Sequence, residues 1–186
     1  DNASADESLA LVRRDFPEVS IIALRSNLRF AGACNAGIRA ARGEAVALLN
    51  NDTEADPHWL ARVAACFAAR PDAGFLSSKL RLFDKRDHLH SAGDFYTANG
   101  MPGNRGVWQL DDGRFDQDYV FSACGAASVY RMAMLDAIGV ARPIATAHRF
   151  RHIRRSNFRF YASGNSGRVH PLGSRAEAVD DEMGDD

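Results

Sequence analysis

An amide and a carboxylate follow a short apolar run in this sequence. Residues 45–49 are five consecutive apolar residues, and Asn50, Asn51 and Asp52 come directly after them. A run of this length is typical of a strand that is buried on both faces. Ligands of open α/β sheets bind outside the carboxyl ends of strands, so Asn50 and Asp52 lie where a ligand would bind. Their oxygens suit a hard cation such as Mg²⁺ or Mn²⁺, although the same residues also form ordinary turns.

Composition limits the classes of protein to which the chain can belong. Its 186 residues and formal net charge of −1 allow one domain with a sizeable core and favour neither nucleic acid nor a membrane surface as partner. The three cysteines, Cys34, Cys66 and Cys124, are far apart and odd in number. This usage is typical of a reduced, cytoplasmic protein, and it includes no zinc-binding spacing. No apolar run approaches the roughly 20 residues that span a bilayer, and we recognise no signal peptide.

Alternating apolar patterns predict the elements that position Asn50 and Asp52. The S-x-x-E sequence of residues 4–7 predicts a helix that ends near Pro17. Asp56 and Pro57 are typical of the start of another helix. The predicted helices after the first one span residues 32–42, 57–70 and 132–138, and Pro57 begins the second of these. The predicted strands span residues 19–24, 45–49, 75–83, 119–123 and 126–130. Helices and strands that alternate with short turns predict an α/β fold with a largely parallel sheet flanked by helices.

Two stretches lack any helical or strand period. Residues 94–118 contain four glycines and two asparagines, and a loop of this length inside a compact domain is typically a lid or a binding loop. Residues 137–176 contain eight arginines and no acid, whereas residues 177–186 contain six acids. We therefore expect residues 140–186 to be a disordered tail, and an arm that binds nucleic acid is the alternative for the Arg-rich part.

Short segments spread over residues 1 to 139 follow one another in a recognisable order. They are DNAS at residues 1–4, NLRFAG at 27–32, NAGI at 35–38, AARGE at 40–44, LLNNDT at 48–53, PHWL at 57–60, HSAG at 90–93, and CGAA at 124–127 followed by Arg131. In these segments the chain resembles the family 2 glycosyltransferases, especially their bacterial rhamnosyltransferase-like branch. The resemblance implies a GT-A, nucleotide-diphosphosugar transferase domain over residues 1–139, with the first strand of that fold missing before Asp1.

The resemblance also implies which residues hold the donor, a nucleotide-diphosphate sugar. Asp1 would close a strand of the fold and help to hold the base or ribose. Asn27 lies in a donor-binding segment. Asn35 and Arg39, on the helix beneath the nucleotide, would contact the donor phosphates, for which a guanidinium is well suited.

The metal and the acceptor are implied in the same way. Asn50 and Asp52 match the outer positions of the D-x-D motif, where Asp52 would bind Mg²⁺ or Mn²⁺ and so help to neutralise the leaving phosphates. Gly125 would let the backbone approach the sugar or the acceptor. The implied acceptor is a saccharide or a lipid-linked molecule of cell-envelope polysaccharide synthesis. It would be met in the cytoplasm or by peripheral association with the inner face of the membrane, and no nucleic acid is implied.

The catalytic base is not identified by the sequence. The family supplies it from an acidic pair after the position of Gly139. Residues 140–144 here read VARPI, and no acid lies between Gly139 and Glu177. A frame change or a divergent end would produce this break. Asp116 and Asp118 are the remaining candidates within the long loop. The alternative function is therefore an inactive fragment that binds a nucleotide sugar but lacks the base.

Other classes of protein fit the sequence less well. Gly32 and Gly37 have the spacing of a phosphate-binding loop, but Ile38 and Arg39 replace its Lys-Ser/Thr pair. The G-x-G-x-x-G sequence of dinucleotide-binding dehydrogenases is absent. Cys124 with His88 or His90 would suit a thiol hydrolase, although a lone cysteine before glycine is more often a packed residue.

Overall fold

The computed structural model describes residues 1–116, 119–139 and 159–163. Within these ranges the helices are α1 (Ser8–Asp15), α2 (Arg29–Ala40), α3 (Trp59–Ala69) and α4 (Met132–Ala137). The strands there are β1 (Ala45–Leu49), β2 (Ala73–Ser78), β3 (Leu80–Arg81), β4 (Leu89–Ser91), β5 (Asp94–Tyr96), β6 (Pro102–Asn104), β7 (Ala127–Arg131) and β8 (Arg159–Ser163). The order α2, β1, α3, β2 confirms the predicted alternation of helices and strands in this part of the chain.

The central sheet has the strand order β1-β7-β2-β8. β7 runs antiparallel to both neighbours, with Leu49 opposite Ala127 and Ser77 opposite Ser128, whereas β2 and β8 are parallel. The prediction of a mostly parallel sheet is therefore wrong for the described pairings. β1 and β2 do point in the same direction, as expected of strands joined by a helix. The sequence could not reveal that a strand from much later in the chain is inserted between them, because periodicity reports local structure only.

Two apolar clusters pack on opposite faces of this sheet. Neighbouring residues of a strand point to opposite faces, and Phe75 belongs to one cluster while Leu76 belongs to the other. The buried members are Ile38, Phe75, Val120, Met134 and Leu135 in the first cluster, and Val63, Phe67, Ala73, Leu76 and Val129 in the second. α2 and α4 therefore cover one face and α3 covers the other, which gives three layers.

β1 has the predicted bounds but not the predicted burial. Val46 and Leu48 pack against the first cluster, whereas Ala47 and Leu49 are exposed, Leu49 to 45%. The prediction that both faces of this strand are buried is therefore wrong. β1 is the first strand in the described order of the sheet, and α2 covers only one of its faces.

Residues 19–24 do not form the predicted strand. Val19 and Ile22 are exposed, and the segment is joined to Asp1 through two backbone bonds. The amino terminus of Asp1 donates to the Ile22 carbonyl oxygen (2.8 Å), and the Leu24 amide donates to the Asp1 carbonyl oxygen (3.0 Å). The β-branched composition predicted a buried strand, but two bonds to a single residue do not form the ladder of a β-sheet.

The predicted helices exist, with shifted ends. α1 ends at Asp15 as expected, but the predicted capping box does not form, since the Ser8 amide bonds the Asp6 carboxylate instead (3.0 Å). α2 begins before the predicted residue 32. On α3 the spacing of Leu60, Val63 and Phe67 indicates one apolar face, and the structure buries Val63 and Phe67 but leaves Leu60 64% exposed.

The long segment predicted to lack structure begins with a hairpin. β5 and β6 pair antiparallel, with Asp94 opposite Asn104 and Tyr96 opposite Pro102. Strands of three residues are too short to show a period, which is why the sequence did not reveal them. The predicted strand at 119–123 is replaced by an isolated bridge between Ser122 and Asp94. The predicted strand at 126–130 corresponds to β7.

The structure describes one part of the predicted tail. Residues 159–163 form β8, which pairs with β2. The rest of that predicted tail, residues 140–158 and 164–186, lies outside the described residues, and so does Asp118.

Candidate functional site

Asn50 directly follows β1, and its backbone is held on two sides. Its amide donates to the carbonyl oxygen of Ala126 (2.9 Å). Its own carbonyl oxygen accepts from the Thr53 amide (3.3 Å) and from the Thr53 hydroxyl (2.6 Å). The turn after β1 is thereby fixed against the segment that leads into β7. The structure thus brings Asn50, predicted on the donor side, next to Gly125, predicted on the acceptor side.

A cleft of about 360 Å³ opens beside this turn. Asp52 is exposed and lies in its wall, together with the loop that leads to α3, the end of β2 and the residues around β3. The charged lining residues are Asp52, Glu54, Asp56, Arg62, Lys79, Arg81 and Arg86. The cleft therefore combines acids from the β1–α3 connection with cations contributed mainly by the opposite wall.

Asp52 differs from the acids next to it because its carboxylate is free. Glu54 binds Arg86 (2.8 Å), which lowers the pKa of Glu54, and Asp56 accepts from the His58 amide (2.8 Å). No hydrogen bond or ion pair engages the Asp52 carboxylate within the part of the chain that the structure describes. A free carboxylate at a strand tip therefore fits the predicted metal-binding role.

The surroundings of Asp52 do not enclose a metal ion by themselves. No group of three or more His, Cys, Asp or Glu side chains suited to a metal occurs among the described residues. Mg²⁺ is commonly bound through one or two carboxylates together with substrate phosphates and water. The Asp52 carboxylate and the side-chain amide oxygen of Asn50 fit a site of that kind, which the donor's phosphates would complete.

Asp1 and Asn27 belong to one hydrogen-bonded unit at the start of the described chain. The Ser4 amide donates to the Asp1 carboxylate (3.1 Å). Asn2 donates to the side-chain oxygen of Asn27 (3.0 Å), which also accepts from the Arg29 amide (2.8 Å). The Asn27 side chain thus positions the start of α2, a structural role that the sequence did not indicate.

Asn35 and Arg39 lie four residues apart on α2 and share one side of the helix. Asn35 is half-buried and Arg39 is exposed. Neither side chain bonds another residue of the described ranges, and neither lines the cleft beside Asp52. The two predicted phosphate contacts are available to a ligand, but they lie outside the cleft beside Asp52.

Phe30, at the start of α2, occupies the space beside Gly125. A Cβ at Gly125 would lie 3.1 Å from Cζ of Phe30, and the Phe30 side chain remains 60% exposed. The missing side chain of Gly125 therefore accommodates an aromatic ring of the protein itself. The sequence had assigned that space to the sugar or the acceptor.

A buried ion-pair cluster borders the cleft. The ammonium of Lys79 binds Asp111 (2.7 Å) and Asp116, and Arg81 also binds Asp111. Burial would raise the pKa of Asp111, but hydrogen bonds from Lys79 and Arg81 hold it below its ordinary value. Asp116, one candidate for the catalytic base, is therefore engaged in an ion pair with a buried cation.

The comparison with protein families decides the identity. Residues 1–139 match the model of glycosyl transferase family 2. The chain belongs to this family. Membership implies a GT-A fold, a nucleotide-sugar donor and an acceptor, and it supports transferase activity. No curated protein matches the chain.

The competing interpretations do not fit this glycosyltransferase domain. Gly32 and Gly37 lie inside α2 and not in a loop, so they cannot cradle a phosphate in the manner of a P-loop. The ring of His88 bonds Asp87 (2.8 Å), and no hydrogen bond joins Cys124 to His88 or His90 in the described chain. None of the described helices has the length and apolar character needed to cross a membrane.

Proposed function

We propose that this family 2 glycosyltransferase transfers a sugar from a nucleotide diphosphate to a saccharide or lipid-linked acceptor in cell-envelope polysaccharide synthesis. The observation that carries the proposal is the free carboxylate of Asp52 in the cleft at the end of β1. The segments quoted above support the rhamnosyltransferase-like branch of the family. The proposed place of action is the cytoplasm, with peripheral association at the inner face of the membrane to reach a lipid-linked acceptor.

In this proposal the Asp52 carboxylate and the side-chain amide oxygen of Asn50 would hold Mg²⁺ or Mn²⁺. When bound, the cation supplies charge neutralisation to the leaving diphosphate. The bonds from Asn50 to Ala126 and from Thr53 to Asn50 keep the turn in one conformation, so little ordering is needed when the donor binds.

The remaining predicted residues divide between donor and acceptor. Asp1 and Asn27 lie in the unit that would hold the base or ribose, and Asn35 and Arg39 offer an amide and a guanidinium to the phosphates.

The acceptor hydroxyl attacks the anomeric carbon, the bond from that carbon to the diphosphate oxygen breaks, and a carboxylate takes the hydroxyl proton. Gly125 belongs to the acceptor side.

The donor site is tested by calorimetry with uridine, guanosine and thymidine diphosphates, each with and without Mn²⁺. We expect at least one of them to bind only with the metal, and Asp52→Ala to abolish that dependence. Glu54→Gln is the matched control, because Glu54 lines the same cleft but is already paired with Arg86. Equal binding with and without Mn²⁺ would contradict the assignment.

The alternative, a chain that binds a nucleotide sugar without transferring the sugar, is favoured by one observation. Asp116, a candidate base, is held by Lys79. Measuring release of the nucleotide diphosphate with a sugar acceptor, alongside calorimetry, separates the two functions. Metal-dependent binding without turnover supports the alternative, and turnover that depends on Asp52 supports the transferase.

A further inference from the structure

Two exposed aromatic rings stack where the β5–β6 hairpin meets the segment before β7. The ring centroids of Tyr96 and Phe121 are 5.5 Å apart, and the ring planes differ by 21°. Tyr96 is 43% exposed and Phe121 is 58% exposed. The pair therefore contributes little to the core and presents apolar surface to the solvent.

Polar groups border this aromatic pair. Asp94 and Tyr96 are two positions apart on β5 and therefore lie on the same face of the hairpin. The Ser122 hydroxyl donates to Oδ2 of Asp94 (3.1 Å), and the Asp94 amide donates to the Ser122 carbonyl oxygen (2.9 Å). These two bonds hold Phe121 against Tyr96.

The second carboxylate oxygen of Asp94 lacks a hydrogen-bond partner among the described residues. Oδ1 of Asp94 is buried and accepts no hydrogen bond from the residues that the structure describes. Leaving a buried acceptor without a partner costs about 1–3 kcal/mol, and such groups in native proteins usually find a partner. The buried position of this oxygen shows that the Asp94 side chain faces the protein, where Ser122 holds it.

The aromatic pair is linked to the candidate site along the chain. Only a short segment separates Ser122, which bonds Asp94, from Ala126, which bonds Asn50. Gly125, on the predicted acceptor side, lies within this segment. A molecule on Tyr96 and Phe121 would therefore lie beside the segment of chain that leads to Asn50.

The charge around the pair favours an uncharged saccharide over a membrane surface. Residues 94–104 contain one acid, Asp94, and neither Lys nor Arg. Anionic lipid surfaces are bound through clustered basic residues, which this hairpin lacks. An apolar ring face with hydroxyl and carboxylate oxygens beside it matches a pyranose, which has an apolar face of C–H groups and a rim of hydroxyls.

We propose that Tyr96 and Phe121, with Asp94 beside them, bind a sugar ring of the acceptor. This inference rests on the proposed function, because it assumes that the acceptor is a saccharide. Asp94 acts as a positioning residue, because its bonds with Ser122 hold Phe121 against Tyr96. The metal and the donor are not involved in these contacts.

The test uses the full chain and saturation-transfer difference NMR with the methyl glycosides of glucose, galactose, mannose, rhamnose and N-acetylglucosamine. We expect at least one glycoside to receive saturation, and Tyr96→Ala and Phe121→Ala each to weaken its binding about tenfold. Tyr96→Phe should keep most of the binding. Asp94→Asn should weaken it without changing the far-ultraviolet circular dichroism.

Phe95→Ala is the matched control, because Phe95 is on the same hairpin, is 42% exposed, and points to the opposite face. We expect it to leave glycoside binding unchanged. Equal weakening by Phe95→Ala would show that only the stability of the hairpin matters, and it would overturn the inference.

Two further outcomes separate this inference from the proposed function. If no glycoside binds while a nucleotide diphosphate still binds with Mn²⁺, the aromatic surface is not a sugar site and only this inference fails. Binding to phosphatidylglycerol vesicles that Tyr96→Ala abolishes, without saturation of any glycoside, would assign the surface to the membrane and overturn the inference. If no nucleotide diphosphate shows Mn²⁺-dependent binding to the unmodified chain, the proposed function is contradicted instead.

Discussion

The guanidinium of Arg131 donates to the carbonyl oxygen of Phe67 (2.8 Å) and lies over the ring of the same residue, 4.3 Å from its centroid. It also donates to the carbonyl oxygens of Ala73 (2.8 Å) and Arg70 (3.3 Å). One side chain at the end of β7 thus donates hydrogen bonds to carbonyl groups at the end of α3 and at the start of β2. Carbonyl groups at a helix C-terminus have no partner within the helix, so this contact joins two layers of the fold.

We expect Arg131→Met to lower the free energy of unfolding by about 2–4 kcal/mol, because the change removes charged donors from carbonyls that the structure partly buries. Urea denaturation followed by circular dichroism measures the effect. Arg25→Met is the control at an exposed position, where the change should stay within about 0.5 kcal/mol. A loss at Arg131 no larger than at Arg25 would contradict the anchoring role.

The Lys79–Asp111 pair gives a prediction for the pH dependence of stability. The folded-state pKa of Asp111 lies below its ordinary value, in spite of burial, through the hydrogen bonds from Lys79 and Arg81. The unfolded chain therefore binds a proton at a higher pH than the folded one. The contribution of the pair is complete above the ordinary carboxyl pKa, about 3.9, and is lost as the pH falls through the lower folded-state value.

Lys79→Met leaves Asp111 and Asp116 without their buried cation, and we expect it to cost about 3–5 kcal/mol at pH 7. The loss should shrink as the pH falls below about 4, when the Asp111 carboxylate becomes protonated. Arg114→Met is the matched control, since it breaks an ion pair with Asp112 in which Arg114 is 58% exposed, and surface pairs contribute at most about 1 kcal/mol. Similar losses for both variants would show that burial of the Lys79 cluster is unimportant.

Asp94 should show the opposite pH dependence. Burial raises the pKa of Asp94, with partial opposition from its hydrogen bond with Ser122. The folded chain therefore holds this proton to a higher pH than the unfolded chain, and its stability falls as the pH rises from the ordinary carboxyl pKa to the raised value. We expect Asp94→Asn to remove that fall, as measured by urea denaturation between pH 3 and pH 7. An unchanged pH profile in this variant would contradict the assignment.

Local patterns in the sequence predicted the parts of the fold that depend on nearby residues. The bounds of β1 were exact, and α3 buries Val63 and Phe67 as its spacing indicated. The insertion of β7 between β1 and β2 was missed because it depends on a pairing between distant segments. The Lys79–Asp111 pair, 32 residues apart, was missed for the same reason.

The candidate site was predicted in a similarly uneven way. The bond from the Asn50 amide to the Ala126 carbonyl oxygen places Asn50 near Gly125, and the donor and acceptor roles of these two residues stay predictions. The roles of Asp1, Asn27, Asn35 and Arg39 toward a donor remain predictions. Phe30 and the Tyr96–Phe121 pair were missed, because an isolated aromatic residue carries no spacing signal by which an exposed ring can be told from a buried one.

Substitutions at two glycines of the hairpin region separate two effects on stability, that of a positive φ angle and that of steric overlap. Gly93 and Gly100 both have positive φ, +96° and +89°, which L-residues rarely adopt. A Cβ at Gly93 would lie 2.6 Å from Cγ1 of Val120, whereas a Cβ at Gly100 would meet nothing within 4 Å. We expect Gly100→Ala to cost about 1 kcal/mol for the backbone alone, and Gly93→Ala to cost about 1–3 kcal/mol more for overpacking. Urea denaturation of both variants measures the difference.

The same pair of variants also tests the aromatic surface. Val120 precedes Phe121 in the chain, so a side chain at Gly93 must displace the residue next to the ring that stacks on Tyr96. Gly93→Ala should therefore weaken glycoside binding, whereas Gly100→Ala, at the hairpin turn, should leave it unchanged. Metal-dependent nucleotide binding should be retained by both variants, because Asp52 and Asn50 lie on a different element. Glycoside binding that survives Gly93→Ala, in a protein destabilised as expected, would show that the position of Phe121 does not control the surface.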